Sequence, residues 1–466
     1  MTGSVQTSAF NAPGSWGGAD VIDGSTLGLV WLVPFVGMLL SVALVPLLLP
    51  HVWHRHFKTI AAFWSVVFAA PFLALNDFDA ASGALVHTIA LDYVPFIILL
   101  TALFTVAGGI RLTGTIRGTP GVNTLLLAIG SGLASIMGTT GAAMLIVRPL
   151  IRANRRRRHK THVFIFLIFL VANIGGALTP LGDPPLLIGF LQGVPFFWPT
   201  VHLFQPRLFL AVILLGIFYA LDHHLHRRGY IEEPSALEEI ERLGIDGKQN
   251  LPLLALIPLV VLIMGSTRDL VPSLEFHHLS IDLASLLGNL ALVAITVASL
   301  RLTSRATHRA NEFSWFPMVE VGWVFAAIFI TVVPALAILR AGEHGALAPV
   351  VELVAPHGKP SDTIYFWVTG GLSSLLDNAP TYLIFFNLAG GDPAALTGPL
   401  ASTLAAISAG AVFMGANSYI GNAPNFMVKA VCEHQGIAMP SFFGYMAWAA
   451  VVLLPLFVAV TLIFFP

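Results

Sequence analysis

Two carboxylates in this 466-residue chain stand in apolar stretches where helix-breaking residues crowd together. Asp183 lies in GGALTPLGDPPLLIGF (175–190), and Asp377 lies in LLDNAPTYL (375–383). Two further irregular stretches, MGTTGAA (137–143) and GANSYIGNAPNF (415–426), share their small and polar character. The four segments offer a set of oxygen-bearing side chains. In chain order, Thr139 and Thr140 come from 137–143, Asn173 (just ahead of 175–190), Thr179 and Asp183 from the first helix break, Asp377, Asn378 and Thr381 from 375–383, and Asn417, Ser418, Asn422 and Asn425 from 415–426. Hydroxyl, amide and freed backbone oxygens are hard ligands suited to a small alkali cation, whereas the N-terminal ends of half-helices suit an anion. A carboxylate at membrane depth costs roughly 2.5–3.5 kcal/mol on insertion scales and marks a functional site. Such a group can hold either a proton or a cation, which is the basis of exchange by competition. The competing structural use is helix capping: GDPP sets Asp183 directly before proline at a helix start.

Residues of this kind need a frame. The chain is 56% hydrophobic and 10% charged, with mean hydropathy +0.83. Soluble domains carry about 25% charged residues, so this is an all-α polytopic membrane protein. A net charge of −1 gives no reason to expect nucleic acid, and a single cysteine, Cys432, excludes an intrachain disulfide framework. There is no P-loop, GxSxG, HExxH or CxxC pattern, so neither ATP-driven transport nor soluble-type catalysis is indicated, and no organic cofactor is called for.

Of the 23 Lys and Arg residues, those at 55–58, 111–117, 152–160, 227–248 and 301–309 form five basic segments. By the positive-inside rule these five are cytoplasmic. Residues 1–25 carry no Lys or Arg and read as a flexible tail on the outside. The segments 111–119 and 152–160 are then on one side, so 121–151 must enter and leave on that side as a re-entrant hairpin. About ten spanning segments plus two hairpins result. Residues 26–92 are N-terminal scaffold helices; 93–221 hold hairpin 121–151 and broken helix 162–196. A charged cytoplasmic connection, 222–250, and linking helices, 251–317, follow. Residues 318–466 hold hairpin 362–389 and broken helix 395–431. The histidines and acids of 222–250 read as a solvated loop. Arg148 and Lys429 read as snorkelling cations, and His162 as an interfacial residue.

The two halves repeat. GLASIMGTTGAAML from Gly132 aligns with GLSSLLDNAPTYLI from Gly371, and GGALTPLGDPPLLI from Gly175 aligns with MGANSYIGNAPNFM from Met414. Both offsets are 239, and Ser135 falls on Ser374, Gly182 on Gly421 and Pro185 on Pro424. The charge bias gives the halves opposite topology, the sequence signature of a secondary transporter. A non-transporting membrane protein built on duplicated helices is the alternative of another class.

The stretches NIGGALTPLGDPPLLIGFLQGVPFFW, LLDNAPTYLIFF and GAVFMGANSYIGNAPNFMVKAV resemble bacterial sodium:proton antiporters of the ion transporter superfamily. Members of this branch are often labelled citrate transporters. The resemblance spans roughly residues 93–440. It implies inverted repeats with re-entrant hairpins, a homodimer, an inner-membrane location with the N-terminus periplasmic, and elevator-type movement of a transport unit against a scaffold. It also implies Na⁺ and H⁺ as transported or coupling ions; the carboxylates at the hairpin turns and breaks then make Asp183, Asp377, Asn378 and Asn422 the candidate Na⁺ ligands. Carboxylate transporters of the superfamily carry Ser-Asn-Thr type hairpin motifs. Here those places read GTTG and DNAP, so Thr139, Thr140 and Asn378 stand in similar positions while Asp377 departs from the pattern. The sequence-level expectation is therefore Na⁺/H⁺ antiport, with cation-coupled transport of citrate or another small carboxylate as the rival.

Overall fold

The computed structural model of the chain describes residues 22–228, 242–267, 270–276, 279–356 and 359–466. Among these residues ten helices are long and apolar enough to cross a membrane, and no sheet closes on itself. The protein is an all-α multi-pass membrane protein.

Helix α1 (Val33–Leu48) and α2 (Pro50–Leu75) are separated by Leu49 alone. A basic connection was expected near residues 51–58; instead HVWHRHFK forms the first turns of α2, because Pro50 is preset for the first helical position. Helix α3 (Phe78–His87) passes through a π-helical turn, Thr88–Tyr93, into α4 (Val94–Gly108). The next pair, α5 (Pro120–Met137) and α6 (Thr139–Ala153), is a helical hairpin whose turn is the single residue Gly138 at φ +81°. Its arms meet again at the base, where Gly118 N donates to Ala153 O at 2.9 Å. Helix α7 (Thr161–Leu170) gives way to a 3₁₀ turn, Ile174–Leu178, before α8 (Pro184–Leu191).

Helix α9 (Trp198–Arg228) runs past residue 221, where the first half was placed to end. It continues through DHHLHRR, so the connection expected from residue 222 begins later, and residues 229–241 lie outside the described residues. Two short ladders were not anticipated. Strand β1 (Arg111–Thr113) pairs antiparallel with β2 (Gly244–Asp246), and β3 (Ser273–Phe276) with β4 (Leu279–Asp282). Helices α10 (Asn250–Thr267), α11 (Leu283–Leu302), α12 (Arg305–Ala310), α13 (Phe316–Arg340) and α14 (Ala348–Val354) follow. A second helical pair is α15 (Asp362–Leu375) and α16 (Asn378–Leu388). After α17 (Pro393–Thr397), α18 (Ala401–Met414) breaks at a 3₁₀ turn, Gly415–Asn417, and resumes as α19 (Ala423–His434); α20 (Phe442–Phe464) closes the chain.

The described part of the expected N-terminal tail is not loose. Residues Gly24–Thr26 form a 3₁₀ turn against α13, and a Cβ on Gly24 would fall 1.9 Å from Ala337 O. Burial sorts centre from periphery. The stretch Thr161–Leu178 is 89% buried and α13 72%, whereas α9, α10, α11 and α20 are each 28% buried. An apolar helix that must face lipid keeps most of its surface accessible, so α7 and α13 are interior. Packing crosses between the halves: α6 lies on α19, and α16 lies on α8. The turn of the first hairpin lies on the break of its own half, through Thr139 N and Gly182 O, and the start of α16 reaches that same break from the second half, through Asn378 and Asp183.

Candidate ion-binding site

The helix breaks follow from residue type. Gly182 packs on Gly176 so closely that a Cβ on it would sit 2.0 Å from Gly176 O. The corresponding contact in the second break sets a Cβ on Gly421 2.6 Å from Gly415 O. Only glycine permits this approach, and Pro184 and Pro185 then restart the helix without needing donors. Helices resume at Thr139 and Asn378, and at Pro184 and Ala423. Each pair is 239 residues apart (378 − 139 and 423 − 184).

Asp183 occupies the cap position of α8 yet caps nothing with its side chain. Its carboxylate is buried and points instead at three side-chain donors. Oδ1 accepts from Thr139 Oγ1 at 2.9 Å and from Asn422 Nδ2 at 3.0 Å; Oδ2 accepts from Asn378 Nδ2. The capping alternative thus fails for Asp183. It holds for Asp377, whose Oδ1 accepts from Ala379 N at 3.1 Å at the start of α16. The Asn378 Oδ1 atom is buried with no hydrogen-bond partner, a rare condition that marks a site able to accept one more donor or a cation.

A cavity of about 80 Å³ adjoins these groups. Thr139, Thr140, Asp183, Asp377 and Asn422 line one wall; Leu100, Leu103 and Phe104 of α4 and Met318, Val321 and Phe325 of α13 line the other. No Lys, Arg or His lines it among the described residues. Since a water needs about 10–15 Å³ of such space, the cavity has room for several waters, far below the 300–1,000 Å³ or so of a drug-sized pocket.

The remaining sequence candidates stand behind this first ring. Asn173 donates to Asn425 Oδ1 at 2.7 Å and accepts from Asn422 at 3.2 Å, and Asn425 donates to Gly415 O and Ser418 O, both at 2.8 Å. Ser418 Oγ accepts from Ile420 N and Gly421 N. Thr179 donates to Ser135 O and Thr381 to Asp377 O, so both hydroxyls satisfy backbone rather than face the cavity. Asn417 donates to Ser374 Oγ at 2.9 Å, while its own Oδ1 is buried without a partner. Ser135 and Ser374, matched in the repeat, also hold the breaks although only their alignment marks them in the sequence. Ser135 Oγ donates to Gly175 O and Ser374 Oγ to Met414 O, contacts that are themselves 239 residues apart (414 − 175). One other reading changes: His162 is buried against Asp222 rather than interfacial. Arg148 pairs with the exposed Glu312 at 3.4 Å and Lys429 with the exposed Glu433 at 2.9 Å, partners compatible with snorkelling cations.

Broken helices and hairpins converging on a buried polar centre are the frame of a membrane transporter. The chain belongs to the family described as "Putative citrate transport", whose family model matches residues 24–465. It is similar to the uncharacterized transporter Rv2684 of Mycobacterium tuberculosis and the uncharacterized transporter Mb2703 of Mycobacterium bovis. Each is 25% identical over 384 residues, covering 78% of this chain and 84% of the relative. The protein is a transporter and not an enzyme.

Proposed function

We propose that the protein exchanges Na⁺ for H⁺ across the bacterial inner membrane, with its N-terminus outside, working as a homodimer by elevator-type alternating access. The observation that carries this reading is the ring of Thr139, Asn378 and Asn422 around one buried carboxylate, Asp183. In the proton-loaded form the carboxyl group needs no counter-charge. On cation binding, a half-turn of the Asn378 amide presents its Oδ1 to the ion and Thr139 offers a hydroxyl lone pair, while Asn422 Nδ2 stays on Ala172 O and Asn173 Oδ1. Asp183 supplies the charge, and Asp377, lining the same cavity, supplies a second one. Proton and cation then compete for one carboxylate, so each loaded form carries one of them across. The two halves are read as inverted repeats that supply the two hairpins of the moving unit.

The experiment is flux in proteoliposomes. Addition of Na⁺ should collapse an imposed pH gradient between pH 6.5 and 9, and its failure to do so at every pH would end this reading.

A second reading, cation-coupled carriage of citrate or another small carboxylate, has its own support. The family's description names citrate. The N-terminal ends of α6, α8, α16 and α19 all meet near the cavity, and such ends favour anions. Against it stand Asp183 and Asp377, two carboxylates facing the space an anion would occupy, with no cationic side chain lining it among the described residues. Saturable uptake of labelled citrate, unaffected by Asp377→Asn, would favour this second reading.

A further inference from the structure

A buried charge network lies at the far end of the first hairpin from its turn. Asp222, wholly buried on α9, accepts from Arg157 Nη1 at 3.0 Å, from Arg157 Nη2 and from Asn123 Nδ2 at 3.0 Å; His162 Nε2 is 2.7 Å from it. Asn123 and Asn154 exchange amide hydrogen bonds of 2.9 Å in both directions. Arg157 also reaches Asn154 Oδ1 at 3.1 Å and Gly118 O at 3.3 Å. The network therefore joins the first turn of α5, the end of α6, the start of α7 and the body of α9. In the run of arginines 155–158, Arg157 alone is buried; its three neighbours are exposed.

A buried ion pair is weak as a source of stability, because the desolvation of both charges offsets their attraction. What a bidentate guanidinium–carboxylate contact does supply is fixed geometry. The hairpin is held at two further levels. Arg207 donates to Ser131 O at 2.8 Å and Ser131 Oγ at 3.0 Å midway along α5, and Thr139 N donates to Gly182 O at 2.8 Å at the turn. From Asn123 to Ser131 is eight residues, about 12 Å of helix, and from Ser131 to Met137 six residues, about 9 Å. With Ser131 as the pivot, a 1 Å sideways displacement at the base moves the turn by roughly 0.75 Å. The Thr139–Asp183 bond of 2.9 Å would then exceed the range of a good hydrogen bond.

We propose that Arg157 and Asp222 are a positioning pair: they lock the open end of the first hairpin to α7 and α9 and so set Thr139 against Asp183. The functional half of this inference rests on Asp183 being the ion ligand named above; the mechanical half does not.

The test uses the full chain in nanodiscs, with Asp222→Asn and Arg157→Lys. The lysine variant keeps the charge and loses the fork, and it carries the test if Asp222→Asn does not fold. Amide exchange over residues 137–143 should accelerate at least tenfold in both, while α13 stays unchanged. Half-saturation for Na⁺ in gradient collapse should rise about tenfold, with the maximal rate within threefold of the parent. Unchanged exchange at the turn in folded protein overturns the proposal. So does a lower folded yield with parental half-saturation, which would make the pair a structural staple only. If the parent shows no Na⁺ response at all, the ion-site reading fails, and the exchange measurement still decides whether the lock exists.

Discussion

Replacing Asp183 by asparagine separates charge from hydrogen bonding at the centre of the site. The new amide keeps an oxygen where Oδ1 accepts from Thr139 and Asn422, and places an NH₂ where Oδ2 accepts from Asn378. That NH₂ would face the Asn378 NH₂. The unpartnered Asn378 Oδ1 resolves the conflict, because a half-turn of that amide makes it the acceptor. The hydrogen-bond count is then preserved, and stability should stay within about 1 kcal/mol of the parent. Asp183→Ala behaves differently. It leaves Thr139 Oγ1 and Asn378 Nδ2 without an acceptor, while Asn422 Nδ2 keeps Ala172 O and Asn173 Oδ1; at about 1–3 kcal/mol each the loss is roughly 2–6 kcal/mol, a large share of a margin of about 5–15 kcal/mol. A ligand at 100 times its Kd stabilises by about 2.7 kcal/mol. The parent should therefore show a Na⁺-dependent rise in melting temperature that Asp183→Asn lacks at near-parental baseline stability. Thermal unfolding in detergent with and without Na⁺ or Li⁺ measures both quantities, and gradient collapse in proteoliposomes measures flux. If Asp183→Asn keeps the Na⁺-dependent rise and the flux, Asp183 is not the exchanging group and the competition scheme is wrong.

Asp377→Asn should fold normally, because asparagine caps a helix about as well as aspartate, yet lose most Na⁺/H⁺ flux; a flux assay beside a melting curve reads both. Gly182→Ala should abolish folded, active protein, since its Cβ would meet Gly176 O at 2.0 Å, while Gly132→Ala, with nothing within 4 Å, should match the parent in yield and flux. Gly138→Ala has space around it but must adopt φ +81° and ψ 149°, a glycine-only region, so it should lose about 1–3 kcal/mol in thermal unfolding.

The parts legible in the sequence are those with a local signal. Glycines 176 and 182 and prolines 184 and 185 announce a helix break wherever they stand, and arginine-rich turns announce themselves by composition. The rest depends on neighbours far along the chain. Asp183 and Asp377 each immediately precede a helix in the sequence, but only Asp377 turns back onto its own helix, because Thr139, Asn378 and Asn422 draw the Asp183 side chain away. Nothing local marks Arg157 among four consecutive arginines, or Asp222 in DHHLHRR; their partner is the other, 65 residues away. The β1–β2 ladder is equally hidden: three residues on each side, joined across more than 130 positions, carry no periodicity to read. The first turns of α2 misled in the opposite sense, since a polar and basic stretch that looks like a connection can still be helix when proline starts it.

The offset of 239 has one further consequence. Asp183 and Asn422 occupy equivalent places in the two halves, and they touch at 3.0 Å. Equivalent positions in contact lie on whatever axis relates the halves. Thr139 and Asn378 are equivalent as well, and both donate to Asp183, one to each carboxylate oxygen. The two hairpins thus present the same position to one shared group. A duplicated Asp at 422 would bring two carboxylates within 3.0 Å, where both cannot be charged without a proton or cation between them. Asparagine at 422 avoids that and leaves a single exchangeable charge at the centre, with the second, Asp377, displaced to the hairpin side of the cavity. Under the proposed exchange, Asp183 is then the one central carboxylate for which proton and cation compete. The departure from equivalence at residue 422 is therefore the chemically informative difference between the two matched segments.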